Sequence, residues 1–451
     1  MQNTSQYDYE QKISEAIRSN SDTLSLYGRY QRGEPLPKSL LDIPSLRHLR
    51  LDHFFTDIPA WLINLTSLES LEIEEGDSAK EILPLLWKLR RLRKLTLAYV
   101  DVDELPSSFA KLKHLEELNI DGADSTHFPS VIASLASLQS FSFKYCYCPL
   151  SEVFDTLSKL PRLKKLRLTF TTDEEDGDFL PESFCRLQAI EELHFNGWND
   201  LKELPECIGN MCNLRVIDIS NDDHQLGYDA AINELPEAIG KLKNLEELDV
   251  YGLQDLKQFP PSFASLSQLK RLNTIGTGID ELQLTAEQWK NLEELHMHGP
   301  LPDLRQCANL KKFSWFKTNV GINHIRGGIP YGTNELISLP LSPLRKLESL
   351  WIMGGALDST AFLASMANLR VLHLSCDFES FPAGFEKLNK LEEISIWGAK
   401  SLTALPEYLG SMPQLKELSL TGCGVKSLPK SVRERKDLYI DVRYCPVKWP
   451  E

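Results

Sequence analysis

The chain has 451 residues, 49 of them Lys or Arg and 64 Asp or Glu, for a formal net charge of −15. Without a basic run or a basic–aromatic stripe, that balance disfavours a general nucleic-acid or anionic-membrane binder, which must neutralise phosphates. A hydrophobic content of 42% beside 25% charged residues describes an ordinary folded soluble chain whose acidity points weakly to a neutral or basic protein partner.

At the N-terminus, Met1 to Glu10 hold no positive cluster followed by an apolar run, so a standard secretory signal is not expected. Nor does any apolar stretch approach the ~18 residues that a membrane-spanning helix requires. Glu10 to Asn20 reads as an amphipathic helix with Ile13, Ala16 and Ile17 on one face, and residues 1–22 are expected to cap the first strand.

From there residues 23–438 repeat one unit: Leu-x-x-Leu-x-x-Leu-x-Leu, a polar stretch, then Leu-Pro-x-x-Ile or Phe. Leu112 to Ile120 and Leu242 to Val250 are clear copies, as are Leu388 to Ile396 and Met412 to Leu420. The Leu-Pro element recurs at Leu36, Leu105, Leu180, Leu204, Leu235, Leu339, Leu405 and Leu428, with variants at Ile58, Phe128, Phe259 and Phe381. The step is about 22–25 residues, as in stacked repeat arrays.

Each Leu-x-Leu predicts a short strand whose two apolar residues point inward and whose neighbours point outward. The strand starts fall at Leu24, Leu49, Leu71, Leu95, Leu118, Phe141, Leu166, Leu193, Ile217, Leu248, Leu272, Leu295, Phe313, Leu350, Leu372, Ile394, Leu418 and, more weakly, Ile440. That makes about 17–18 units stacked in parallel. Leu272 to Ile275 is the strand where a slip of register is most expected. The proline belongs to the return path, outside any hydrogen-bonded ladder. Two units are long, with insertions at 221–229 and 317–334, which read equally as ligand-contacting loops or as tolerated surface loops. Residues 439–451 close the array as an atypical last turn, with Val447 and Trp449 available to seal the core.

The wording Leu-Pro-x-x-Ile-Gly-x-Leu-x-x-Leu-Glu-x-Leu, which Leu235 to Leu248 matches closely, resembles leucine-rich-repeat proteins. In particular it is similar to the repeat regions of plant intracellular immune receptors and of bacterial type III effector-like proteins. The resemblance implies an α/β solenoid, a curved horseshoe with a parallel sheet on its concave face and short helices, 3₁₀ turns and loops on its convex face. It covers nearly the whole chain but is carried by repeat residues, which specify fold rather than function. It implies a non-catalytic protein-interaction scaffold, free-standing and effector-like or cytosolic. The alternatives are the substrate-recognition part of a ubiquitin-ligase-type effector and a ligand-sensing immune-type receptor.

Residues that could carry chemistry are few. No P-loop is present, and Gly276-Thr277-Gly278 lacks the context of a dinucleotide site. The nine cysteines are odd in number and scattered, which fits a reducing, cytosol-like compartment or delivery into a host cell. Cys185 and Cys207 fall on return segments, where burial is expected, and Cys423 and Cys445 occupy a position that commonly satisfies buried backbone groups. His296 and His298 alternate onto one face, but a metal would need a third ligand from a neighbouring strand. Paired glutamates such as Glu116-Glu117 and Glu293-Glu294 recur as a consensus feature and read as a solvated rim. No catalytic residue, cofactor, metal or membrane insertion is expected, and the chain reads as a monomer.

The outward positions then define a binding face. In the C-terminal half one outward row holds Tyr251, Ile275, His298, Phe316, Met353 and Trp397, and the adjacent row holds His296 and Trp351. Exposed, these would form an aromatic anchor zone for a partner protein. The N-terminal half is polar and acidic, with Asp52, Glu72, Glu74, Asn119 and Asp121 interrupted by Lys94, Lys144, Lys165 and Arg167.

Overall fold

The computed structural model describes residues 9–26, 36–51, 58–74, 79, 81–99, 105–122, 126–146, 148–170, 179–197, 201–221, 232–317 and 336–448. Most of both insertions, Asp52 and Trp449 lie outside these residues. The chain divides into two compact units, Met1–Ile219 and Ser220–Glu451.

The first unit opens with helix α1 (Tyr9–Ser19), which buries Tyr9, Ile13 and Ala16. Ile17, expected on the buried face, is 40% exposed. Nine parallel strands come next: β1 (Thr23–Leu26), β2 (His48–Leu51), β3 (Ser70–Glu74), β4 (Lys94–Ala98), β5 (Glu117–Asp121), β6 (Ser140–Cys146), β7 (Lys165–Phe170), β8 (Glu192–Phe195) and β9 (Val216–Asp218). Their register sets Leu24 beside Leu49, Leu71, Leu95, Leu118, Phe141, Leu166, Leu193 and Ile217 in succession. These are the strand starts expected from the alternation.

The Leu-Pro motif has a definite local meaning. Pro106 sits in extended backbone just before the 3₁₀ helix Ser107–Lys111. Its carbonyl accepts from the amide of Phe109 (2.9 Å), whose own carbonyl accepts from Leu112 (2.9 Å). Proline fixes the entry angle and loses no needed donor, while the apolar residue three positions on turns into the core. Leu105 and Phe109 are both buried. Prolines 37, 59, 129, 181 and 205 start 3₁₀ helices in the same way.

The second unit repeats the scheme in β10 (Glu247–Asp249), β11 (Arg271–Asn273), β12 (Glu294–His298), β13 (Lys312–Phe316), β14 (Leu336–Ile337), β15 (Ser349–Leu357), β16 (Val371–Asp377), β17 (Glu393–Trp397), β18 (Glu417–Thr421) and β19 (Tyr439–Asp441). Leu248, Leu272, Leu295, Phe313, Leu350, Leu372, Ile394, Leu418 and Ile440 stand side by side. The slip expected at Leu272 does not occur. After the long insertion, β15 pairs directly with β13, and the short β14 joins the far half of β15 through Leu336–Ala356 and Ile337–Leu357.

The glycine of the motif is a packing requirement. A Cβ on Gly240 would lie 2.4 Å from the carbonyl oxygen of Ser262 on the next return turn. Adjacent turns approach so closely that only a hydrogen fits there.

The cysteines depart from expectation at one pair and meet it at another. Cys185 and Cys207, on neighbouring return turns and 22 residues apart, form a disulfide with Cα atoms 5.6 Å apart. This departs from unpaired thiols in a reducing compartment. The spacing is close to one repeat, so stacking brings the two return turns together. Cys423 and Cys445 behave as expected of their position, their thiols donating to the carbonyls of Ile396 (3.4 Å) and Leu420 (3.0 Å).

Candidate functional site

The outward side chains of the strands run in columns, because in-register parallel strands set equivalent residues about 4.8 Å apart. The first column lies at the rim, two residues before each strand's first inward side chain. In the first unit it reads Arg47, Glu69, Arg93, Glu116, Gln139, Lys164, Glu191 and Arg215. In the second it reads Glu246, Lys270, Glu293, Lys311, Glu348, Arg370, Glu392 and Lys416. Over these residues sign alternates within each unit, interrupted by Gln139 alone. Cross-strand ion pairs result: Arg47–Glu69 (3.6 Å), Arg93–Glu116, Lys164–Glu191 (2.7 Å), Lys270–Glu246 (3.0 Å) and Lys311–Glu293 (2.7 Å). Glu392 takes both Arg370 (2.6 Å) and Lys416 (2.9 Å), and those bonds hold its carboxyl below the usual range. The paired glutamates are therefore one half of a charge ladder. Each exposed rung stabilises by no more than ~1 kcal/mol, but mispaired rungs would set like charges side by side.

The next column repeats the pattern with Lys94–Glu117 (2.9 Å), Lys165–Glu192 (2.7 Å), Arg271–Glu247 and Lys312–Glu294 (3.1 Å). Glu117 is pushed up by burial, but hydrogen bonds from Asn119 and Lys94 outweigh that and hold its pKa below the usual value.

The central column, between the two inward residues, contains Arg50, Glu72, Thr96, Asn119, Ser142, Arg167, His194 and Asp218 in the first unit. In the second it contains Asp249, Asn273, His296, Ser314, Trp351, His373, Ser395 and Ser419. Its histidines are tied to carboxylates: His194 Nδ1 lies 3.2 Å from Asp218, and His373 Nε2 lies 2.7 Å from Glu393. His296 bridges Ser314 (2.7 Å) and Glu294 (2.8 Å). The His296 bond is the largest cause of a Glu294 pKa lowered to about 2. Trp351 is half-buried between Phe316 and His373, with ring centroids 5.4 and 5.8 Å away. In the first unit, β5 to β8 enclose an open recess of about 460 Å³ lined by Asn119, Ser142, Arg167 and His194 with flanking Lys and Glu residues.

The outer column corrects the expected anchor zone. Tyr251, Ile275, Phe316 and Met353 are 3%, 3%, 0% and 5% exposed and form one buried apolar cluster, with Trp351 packed against it. His298 is buried as well, and that burial lowers its pKa. The four cluster positions, expected to be exposed, are core instead. Large side chains in equivalent positions stack on one another across the rungs and remove each other from water. Of the expected anchors, His296, Trp351 and Trp397 keep partial exposure. His296 and His298 are not brought together as a pair, since they differ in burial and partners.

Among the described residues no cluster of three or more His, Cys, Asp or Glu side chains could hold a metal ion. Burial raises the thiols of Cys307 and Cys423 to about 12 and pushes Cys376 up as well, leaving them poor nucleophiles.

A family model described as a leucine-rich repeat region matches residues 87–206 and 202–445. A putative disease resistance protein of Arabidopsis thaliana is 27% identical over 432 residues, covering 87% of this chain and 34% of the relative. The disease resistance protein RPP5 of the same plant is 23% identical over 435 residues, covering 94% of this chain and 26% of the relative. The chain thus spans about a third or less of the length of these relatives. Among solved structures, a leucine-rich-repeat protein of Leptospira interrogans superposes with a TM-score of 0.54 at 22% identity, covering 81% of this chain and 94% of that one.

Proposed function

The chain belongs to the leucine-rich-repeat family, and on that premise we propose that the outward face of its strands is a recognition surface for a partner protein. The observation that carries this reading is the central column. There hydroxyl, amide, charged, imidazole and indole groups are held outward on strands whose inward residues are almost wholly buried. Such a face is pre-organised, so a partner meets side chains already fixed by their neighbours. Half-buried Trp351, Trp397 and His296 supply contact area in the second unit, and the buried cluster of Phe316 and Met353 packs against Trp351.

The reading is non-catalytic. It is supported by the raised thiols and by the engagement of each histidine in the central column with a structural carboxylate. No helix among the described residues is long and apolar enough to cross a membrane. Likeness to disease resistance proteins favours the sensing part of an immune-type receptor over a bacterial effector-like scaffold.

The test is quantitative affinity capture from cell extract with the wild type, the Trp351→Ala/Trp397→Ala double variant and Lys241→Glu, which changes an exposed residue on a return turn. A partner kept by Lys241→Glu and lost by the folded double variant is the expected result. Equal capture by all three proteins would overturn the assignment to the strand face.

A further inference from the structure

We propose that the recess on β5 to β8 is a subsite for a carboxylate side chain of the protein partner, received by Arg167. This deepens the recognition reading and rests on it.

Arg167 stands in the central column of β7, in register with Ser142 on β6 and His194 on β8. It is exposed and makes no hydrogen bond or ion pair with any described residue. Every other described cation around the recess is already engaged. Lys144 lies 3.4 Å from Asp121, Lys164 2.7 Å from Glu191 and Lys165 2.7 Å from Glu192. The adjacent carboxylates are consumed by those pairs and by the Arg93–Glu116 and Lys94–Glu117 bridges, and His194 is turned to Asp218. One guanidinium is left over, with five N–H donors in a fixed fork.

The same column shows how this sheet treats an arginine it needs only for itself. Arg50, on β2, meets Glu72 (3.6 Å) and Glu74 on the next strand. Arg167 has a serine on one side and a histidine on the other. Ser142, its register partner on β6 and 8% exposed, also lines the recess and brings a hydroxyl to the same space.

The charge count selects the ligand. A single guanidinium offers bidentate geometry to one monoanionic carboxylate. A phosphate dianion would bring two charges to a recess whose other lysines, Lys164 and Lys165, are already matched by glutamates, leaving Arg167 to balance one. The overall charge of −15 does little to oppose one acidic side chain in the recess, because salt largely screens exposed charges more than about 8 Å away. An acidic residue inside an otherwise neutral or basic segment satisfies both conditions.

The experiment selects random dodecapeptides displayed on phage against the full wild-type chain and, in parallel, against Arg167→Gln. Peptides from the wild type are expected to carry Asp or Glu at one recurrent position. The best of these, synthesised, should bind Arg167→Gln about tenfold or more weakly, as expected for a lost hydrogen bond to a charged group. Arg167→Lys should recover part of the loss, and inorganic phosphate at matched ionic strength should not displace the peptide. Thermal melts of both variants should match the wild type, since the side chain is exposed. Peptide pools of the same composition from wild type and Arg167→Gln would overturn the proposal, as would failure to enrich any peptide or displacement by phosphate. Enriched peptides that ignore Arg167 but are lost on Trp351→Ala/Trp397→Ala would overturn this subsite while leaving the recognition face standing.

Discussion

Phe316→Ala separates the buried outer column from an exposed anchor row. Phe316 is 0% exposed, sits in one cluster with Tyr251, Ile275 and Met353, and meets Trp351 edge-on at 5.4 Å. Truncating a buried phenylalanine costs about 3–5 kcal/mol. Losing the aromatic pair removes about 0.5–1.5 kcal/mol, part of which is already inside that figure. Taking about 4 kcal/mol and about 2–4 °C per kcal/mol for a unit of this size, the melt should fall by roughly 10 °C. An exposed phenylalanine would change stability by about 0.5 kcal/mol or less, a shift near 2 °C. Calorimetry of the full chain, paired with near-ultraviolet circular dichroism, reads the difference. Trp397→Ala, on a half-buried side chain, should cost less than half as much. A Phe316→Ala melt within ~2 °C of wild type would refute the buried ladder and return the residue to the surface.

Other outcomes rest on the same geometry. Reducing the Cys185–Cys207 bond, which closes 22 residues of chain, should lower stability by about 3 kcal/mol on the chain-entropy model, read as a shift in the urea midpoint; an unchanged midpoint would mean the bridge constrains nothing. Mild alkylation of the folded chain should modify exposed Cys212 first and leave buried Cys307, Cys376 and Cys423 untouched until denaturant is added; rapid labelling of Cys307 would reopen the question of a reactive thiol. The Glu294 carboxyl, held near 2 by His296, contributes stability that is present above its ordinary value of 4.5 and is lost as pH falls toward 2. Glu294→Gln should therefore destabilise at neutral pH, with the gap to wild type closing across that acid window; a gap constant with pH would contradict the linkage. Gly240→Ala should destabilise because its Cβ meets the Ser262 carbonyl, and a neutral melt would show that the return turns can separate.

The fold was legible because its signal is local. Alternation of apolar residues within one strand fixes inward and outward, and the Leu-Pro step fixes where the next strand begins, so even Leu272 fell in register. Burial of the outer column was not legible, because it depends on residues far apart in sequence. Phe316 and Met353 are register partners 37 positions apart, separated by an insertion, and no window along the chain shows them stacked. The charge ladder was within reach once the repeats are written beneath one another. Read as pairs along the chain, Glu116-Glu117 and Glu293-Glu294 look like a solvated acidic rim; read across the rungs, each glutamate faces a lysine or arginine. The same alignment isolates Arg167 between Ser142 and His194. The Cys185–Cys207 pair needed the stacking of neighbouring return turns as well as the count.

The most direct test of the recognition face places a photo-crosslinking amino acid, p-benzoylphenylalanine, at position 397 on the strand face or at position 241 on a return turn, in otherwise wild-type chain. Irradiation in extract should yield one discrete adduct from position 397, identified by mass spectrometry as the protein lost from the Trp351→Ala/Trp397→Ala capture, and none of that adduct from position 241. The same adduct from position 241, with position 397 silent, would place recognition on the return turns and contradict the account.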